Sequence, residues 1–187
     1  VVPNVFKNIK ISIKKELRLE VKELKQYNLK KILKIDVNVK QVGSDRLANA
    51  ISVINDKDNF IILDFGTATT FDVVLRNRYK GGIIAPGVNL SLKTLIEKAK
   101  LIPNTKLKKI KNIIGKNTQN AVRSGFYWGY QGLIENIINL IKKKYKKEFK
   151  IIFTGGLSHL YKNTIQKKVQ VDKDLTIKGL FKLIDKI

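Results

Sequence analysis

Residues 60–63 form an uninterrupted apolar run that ends in Asp64. Beyond the turn Phe65-Gly66-Thr67-Ala68, the stretch 69–75 is rich in threonine and β-branched residues, as strands are. Asn77 and Arg78 mark a second turn, and 79–85 reads as a third strand carrying Gly81-Gly82. Three strands in meander order follow. Helical patterns surround them: one opened by Gly43-Ser44-Asp45-Arg46 and running through Ile54, and one capped by Asn89 or Ser91 and reaching about Ala99. A long helix follows Thr118 to about Lys144, and a closing helix spans 176–187. Between the last two lie a strand over 149–153 and a short strand candidate at Gln170-Val171. The first 35 residues are polar and lysine-rich. There Val1-Val2-Pro3 suggests a strand end entering a loop, 4–13 has mixed helical spacing, and 31–35 suggests a short strand. A meander followed by alternating helices and strands is the order of a ribonuclease H-like α/β fold.

The 187 residues suffice for one domain, or for one domain plus part of another. No apolar run is long enough to cross a bilayer, and no charged-then-apolar leader is visible. The chain lacks methionine, even at its first position, and reads as a fragment or as a protein recorded without its true start. With no cysteine and the single histidine His159, disulfides, thiolate chemistry and multi-histidine metal sites are excluded. Chemistry falls to carboxylates, hydroxyls, backbone amides and bound cations. The formal charge of +23 suggests a nucleic-acid footprint. Yet only Arg18, Arg46, Arg76, Arg78 and Arg123 are arginine, and lysine, isoleucine and asparagine are abundant together. That is the pattern of an A- and T-rich genome, so the charge is read mostly as background and a nucleic-acid partner is not expected.

Asp64-Phe65-Gly66-Thr67-Ala68-Thr69-Thr70-Phe71-Asp72 carries the strongest chemical signal. A carboxylate at a strand end, a glycine turn and several hydroxyls suit a phosphate and its counter-cation. Equally, Asp64 suits the capping of backbone amides in an ordinary hairpin. In Gly43-Ser44-Asp45-Arg46, Ser44 or Asp45 fits an N-cap. As a functional group, Asp45 is a base for a substrate hydroxyl, and Arg46 a holder of a carboxylate or phosphate oxygen. Spacing alone favours the cap. Gly155-Gly156, Gly81-Gly82 and Ala85-Pro86-Gly87 read as tight backbone with ligand contact possible, His159 as a surface or structural residue, and Tyr127, Trp128 and Tyr130 as helix packing. Gly125, Gly129 and Gly132 fall on one side of the long helix. Each costs about 1 kcal/mol against alanine, so close packing against another backbone is expected.

Taken together, the segments from Gly43 to Ala50, Asp64 to Asp72, Tyr79 to Gly87, Gly115-Lys116-Asn117-Thr118, Ser124 to Tyr130, Thr154-Gly155-Gly156-Leu157 and Asp174 to Leu180, with Val1-Val2-Pro3 before them, resemble type III pantothenate kinases in content and order. The resemblance implies an α/β, actin-like ATPase (ribonuclease H-like) fold of two similar domains with the first incomplete: 1–57 the remainder of the N-terminal domain, 58–187 the C-terminal one. It implies a cytoplasmic homodimer that phosphorylates pantothenate to 4'-phosphopantothenate, using ATP, magnesium and a monovalent cation, potassium or ammonium. By the same resemblance Gly43, Ser44, Asp45 and Arg46 bind pantothenate with Asp45 as proton acceptor, Thr118 contacts pantothenate, Gly66 and Thr67 contact ATP, and Asp64 binds the monovalent cation. The family's opening Asp-x-Gly-Asn-Thr phosphate-binding hairpin does not occur in this sequence, so the fragment is expected to bind ATP poorly. Many members also carry a tyrosine where Asp36 stands, and Asp36 is assigned no role. The alternative is a non-catalytic relative serving transcription or binding nucleic acid. A further alternative is another sugar or acid kinase of the same fold.

Overall fold

The computed structural model describes residues 3–166 and 168–186. Six strands form one sheet in the order β1-β4-β3-β2-β5-β6: β1 (Lys34–Ile35), β2 (Asn59–Phe65), β3 (Ala68–Leu75), β4 (Arg78–Pro86), β5 (Lys150–Gly155) and β6 (Val169–Val171). The β2-β3-β4 meander is antiparallel, whereas β5 joins β2, β6 joins β5 and β1 joins β4 in parallel. Counted from β2, the five main strands lie in the order 3-2-1-4-5, the ribonuclease H-like sheet of the actin-like ATPase fold.

Side chains of alternate strand residues point to opposite faces, and each face has its own core. On one face Phe60, Ile62, Val74, Tyr79 and Ile152 pack against α2 (Ser44–Val53) and α6 (Leu175–Ile184), together with Leu24, Leu29, Leu33 and Val42. On the other, Ile61, Leu63, Phe71, Val73, Ile151 and Phe153 pack against α4 (Thr118–Tyr145). β2 therefore reads as a continuous apolar run because both its faces are covered. Residues 24–54 share a core with the sheet on one face, so the segments on either side of residue 57 fold against one another. The remaining helices are α1 (Pro3–Leu17), α3 (Val88–Lys98) and the single-turn α5 (Ser158–Tyr161). Among the described residues no helix is long and apolar enough to cross a membrane.

Several local expectations are corrected. Pro3 begins a helix rather than ending a strand, since proline is tolerated in a first helical turn; Val1, Val2 and Ile187 lie outside the described residues. The strand expected over 31–35 shrinks to Lys34–Ile35 after two single-turn helices. Gly87, not Asn89 or Ser91, is the N-cap of α3. The reason is steric: a Cβ on Gly87 would stand 2.0 Å from the Thr67 carbonyl oxygen, so the start of α3 is pressed onto the β2–β3 turn. Likewise α2 has Gly43 at its N-cap, with Ser44 and Asp45 already helical. Gly125, Gly129 and Gly132 meet nothing within 4 Å among the described residues; the close backbone neighbour expected for them is not found there.

Candidate active site

Strand parity gathers the polar groups. Asp64 on β2 and Asp72 on β3 have the parity of Ile62 and Val74, so both carboxylates face α2. Arg46 and Asn49 reach them from the helix, with Asp45 near enough to act on Asp64 through its charge. Asp45 is exposed in the first turn of α2, and its Oδ1 accepts the Arg46 backbone N–H at 2.9 Å. Its other oxygen accepts no hydrogen bond among the described residues. Asp45 therefore combines a first-turn anion, favoured by the helix dipole, with an oxygen open to a hydroxyl. A Cβ on Gly43 would meet Asp45 Oδ1 at 2.3 Å, so glycine at the cap is what lets this carboxylate fold back.

Among the described residues Asp64 caps no backbone amide. Its Oδ2 accepts from Asn49 Nδ2 at 3.2 Å, and Asn49 Oδ1 in turn accepts from Thr176 Oγ1 of α6 at 2.7 Å. Its Oδ1 sits among glycines, 2.6 Å from the Cβ position of Gly155 and 3.9 Å from that of Gly66. Gly155 has φ +81°, a conformation that glycine takes without strain. Burial pushes the Asp64 carboxyl above the usual carboxylate range, Asn49 opposes this, and nearby Asp45 and Asp72 add to it. Such an under-compensated carboxylate, with an oxygen in a cradle that any side chain would fill, fits a small cation. Among the described residues no three carboxylate or histidine side chains gather as a multidentate metal site, so further ligands to a cation would be carbonyls, water or substrate. Gly66 and Thr67 form the exposed β2–β3 turn, closed by the Gly66 N–H to Ala68 carbonyl bond at 3.1 Å.

Arg46 departs from the simple expectation. Its guanidinium engages a carboxylate of this chain, with Nε 2.9 Å from Asp72 Oδ1 and Nη2 2.7 Å from the same oxygen. Asp72 is fully buried and also accepts from Tyr79 Oη at 2.6 Å and Thr70 Oγ1 at 3.4 Å. Burial pushes the Asp72 carboxyl up and its donors pull it down. Burial likewise works against the Arg46 charge, but Asp72 outweighs it and holds the guanidinium protonated. Four donor contacts around one carboxylate are the geometry of an ionised pair. Asp72, Tyr79 and Asn49 were not singled out from sequence. Their signal was a polar residue interrupting an apolar pattern: Asn49 in a buried helix face one turn after Asp45, and Asp72 in a buried strand.

Other expected residues fall elsewhere. Thr118 opens α4, the helix on the opposite face of the sheet, and shares no hydrogen bond with the Asp45 group among the described residues. Asn117 caps that helix by accepting from the Asn120 N–H at 2.9 Å. Asp36 is tied to Arg78 at 2.7 Å and to Lys80, first Lys80 and then Arg78 holding its carboxyl below the usual range against burial. Its charge is therefore balanced locally. His159 is exposed on α5, Tyr127 is core, and Tyr130 stacks on Phe126 and donates to Ser91 Oγ at 3.0 Å, as packing residues do.

Comparison with known proteins adds the family. The model of the type III pantothenate kinase family matches residues 1–140. The type III pantothenate kinase of Pelagibacter ubique is 63% identical over 182 residues, covering 97% of this chain and 73% of its own length. That of a Ruegeria species is 43% identical over 153 residues, covering 79% of this chain and 59% of its own. Among solved structures, a Campylobacter jejuni protein assigned to the Baf family of transcriptional activators superposes with TM-score 0.62 at 24% identity, over 89% of this chain and 80% of that one. At that identity it speaks for the fold alone.

Proposed function

The chain belongs to the type III pantothenate kinase family, which phosphorylates pantothenate with ATP at the start of coenzyme A synthesis, and on that premise we propose how its residues divide the work. Asp45 accepts the proton of the pantothenate primary hydroxyl as the γ-phosphoryl group of ATP is transferred. Aspartate is a weak base for an alcohol, but phosphoryl transfer asks mainly for positioning and late proton acceptance. Gly43 and Ser44 shape the acceptor site, and Arg46 holds the pantothenate carboxylate. Gly66 and Thr67 meet the ATP phosphates, beside the N-terminus of α3, where backbone N–H groups favour anions. Asp64 holds a monovalent cation, and a magnesium ion accompanies ATP; such cations neutralise phosphate charge. The observation that carries this reading is that α2 brings Arg46 onto Asp72 and Asn49 onto Asp64 on one face of β2 and β3, with Asp45 near enough to help raise the Asp64 carboxyl.

Pantothenate-dependent ADP release in potassium and magnesium tests it. The assay compares the chain alone with the chain extended by an Asp-x-Gly-Asn-Thr hairpin segment. Turnover is expected from the extended protein and little from the chain alone. No pantothenate dependence in either would sink the reading in favour of a non-catalytic relative. The cation has its own readout. Because the Asp64 carboxyl is raised in the fold, stability is lost as the pH climbs from its ordinary value to the raised one, and the full cost of ionising it stands above that. Potassium at ten times its dissociation constant should then raise the melting temperature by about 3–6 °C near neutral pH, and by less as Asp64 protonates. An equal rise in Asp64→Asn argues against the assignment.

Within this reading, 58–187 is the C-terminal ribonuclease H-like domain and 1–57 the remainder of the N-terminal one, of which residues 24–54 share a core with the sheet. The protein works in the cytoplasm as a homodimer. The open glycine face of α4 supports the dimer, since Gly125, Gly129 and Gly132 are exposed beside Phe126 and Leu133 and suit a second helix at close range. A two-fold there would also give Thr118 a route to a neighbouring acceptor site. Sedimentation at micromolar concentration should give twice the chain mass, and a monomer would count against it.

A further inference from the structure

The Arg46–Asp72 pair, with Asp72 buried and Arg46 half-buried, sits in a slot on β4. A Cβ on Gly82 would lie 2.1 Å from the Phe71 carbonyl oxygen, 2.4 Å from Arg46 Nη2 and 2.9 Å from Asp72 Oδ1, so glycine there leaves room for both the β3 backbone and the guanidinium against β4. Asp72 takes the side-on edge of the guanidinium, through Nε and Nη2. A guanidinium has a second edge, Nη1 with the outer hydrogen of Nη2, that also matches a carboxylate in a bidentate fork. Tyr79, fully buried, fixes Asp72 in turn by donating its hydroxyl to the same Oδ1 at 2.6 Å, the shortest bond in the group. A phenol in that position donates to carboxylate far more readily than it ionises, because burial and then Asp72 raise its own proton affinity.

We propose that Asp72 and Tyr79 are positioning residues for the acceptor. They grip one edge of Arg46 so that its other edge is presented, at a fixed angle, to the carboxylate of pantothenate beside Asp45. The inference deepens the functional reading and rests on its assignment of Arg46 to the substrate carboxylate. Without the grip, Arg46 keeps its charge but gains rotamer freedom, and the bidentate capture loses its geometry. Selection for an acceptor bearing a carboxylate is thereby set two residues deep in the sheet, by groups that never touch the substrate.

Asp72→Asn leaves a guanidinium buried without its counter-charge and is prone to misfold, so the decisive variant is Tyr79→Phe, which keeps the ion pair and removes a single hydrogen bond. Binding of pantothenate and of pantothenol, in which an alcohol replaces the carboxylate, is followed by calorimetry on the full chain. Tyr79→Phe should weaken pantothenate about fivefold to tenfold, in line with the net contribution of one intramolecular hydrogen bond, and leave pantothenol within about twofold. Arg46→Lys should show the same selectivity, and adding Tyr79→Phe to it should cost nothing more. Equal losses for both ligands, or no loss for either, in Tyr79→Phe would overturn the proposal while leaving the kinase reading intact. An Arg46→Lys protein that binds pantothenate as tightly as the parent would instead remove the assignment of Arg46 on which it rests.

Discussion

Asp45→Asn should lower kcat for pantothenate phosphorylation by about 10²–10⁴-fold, the range associated with loss of a positioned general base, in the protein that carries the phosphate-binding hairpin. The amide keeps a side-chain oxygen that can accept the Arg46 backbone N–H, so the start of α2 stays formed. Asp45 is exposed, and its charge in the first helical turn is worth only about 0.3–1 kcal/mol. The melting temperature should therefore hold within about 4 °C. The KM for pantothenate should change far less than kcat, because Arg46 and its buried partners are untouched. A loss of less than about threefold in kcat would make Asp45 a helix-terminus anion and nothing more, and would turn attention to a base outside this chain. The measurement is the same ADP-release assay, run at saturating ATP.

The largest effect on stability is expected at a position remote from any substrate. Gly179 lies inside α6, where helix propensity alone gives alanine an advantage of about 1 kcal/mol over glycine. Packing reverses the sign. A Cβ at Gly179 would stand 1.9 Å from the Ala48 carbonyl oxygen and 2.6 Å from its carbonyl carbon, and backbone cannot step aside as a flexible side chain can. The two helices would have to part. Overpacking a fitted interface costs about 1–3 kcal/mol and at times more, so Gly179→Ala should lower the melting temperature by roughly 3–10 °C. The displacement would also reach the site. Thr176, one turn before Gly179, is the residue that orients Asn49 toward Asp64, so potassium should stabilise the variant less than the parent. A melting temperature unchanged or raised would show that α2 and α6 have slack the contact distances deny.

What could be read from sequence follows from which interactions are local. The β2-β3-β4 meander was legible because Gly66 marks its first turn, Asn77 its second (which falls at Arg76-Asn77, with Arg78 already in β4 rather than in the turn), and apolar and β-branched runs mark its strands. The alternation of helix and strand after it was enough to place the fold class. The caps were not legible. Asn89 and Ser91 have the chemistry of a cap, but the residue that starts α3 is dictated by how closely the Thr67 carbonyl approaches, a contact between segments twenty residues apart in sequence. Gly82 is similar: its pairing with Gly81 suggested room for a ligand, yet the space it leaves is filled by Arg46. Asp45 and Asp64 could be singled out because each stands beside a glycine turn. Asp72 and Tyr79 could not, since the fact that they share a face depends on the register of β3 on β4 and on an irregularity between Val73 and Val74. Thr118 shows the reverse case, a residue named by resemblance whose place in one chain is apart from the group it was expected to join.

The sheet's two margins also govern how molecules of this protein can meet. One margin is the two-residue β1 and the other the three-residue β6. Unsatisfied strand edges are the usual template on which a second chain adds itself and fibrils begin, and short, charge-guarded edges blunt that route. At the β1 margin Lys34, Asp36, Arg78 and Lys80 cluster around the terminal pairing, so an incoming strand would have to strip water from several charges to gain two residues of ladder. With a net charge of +23 opposing close approach everywhere, self-association through backbone pairing is disfavoured. Resistance to cross-β aggregation on prolonged storage is the corresponding physical trait, and it would follow from edge geometry rather than from overall stability.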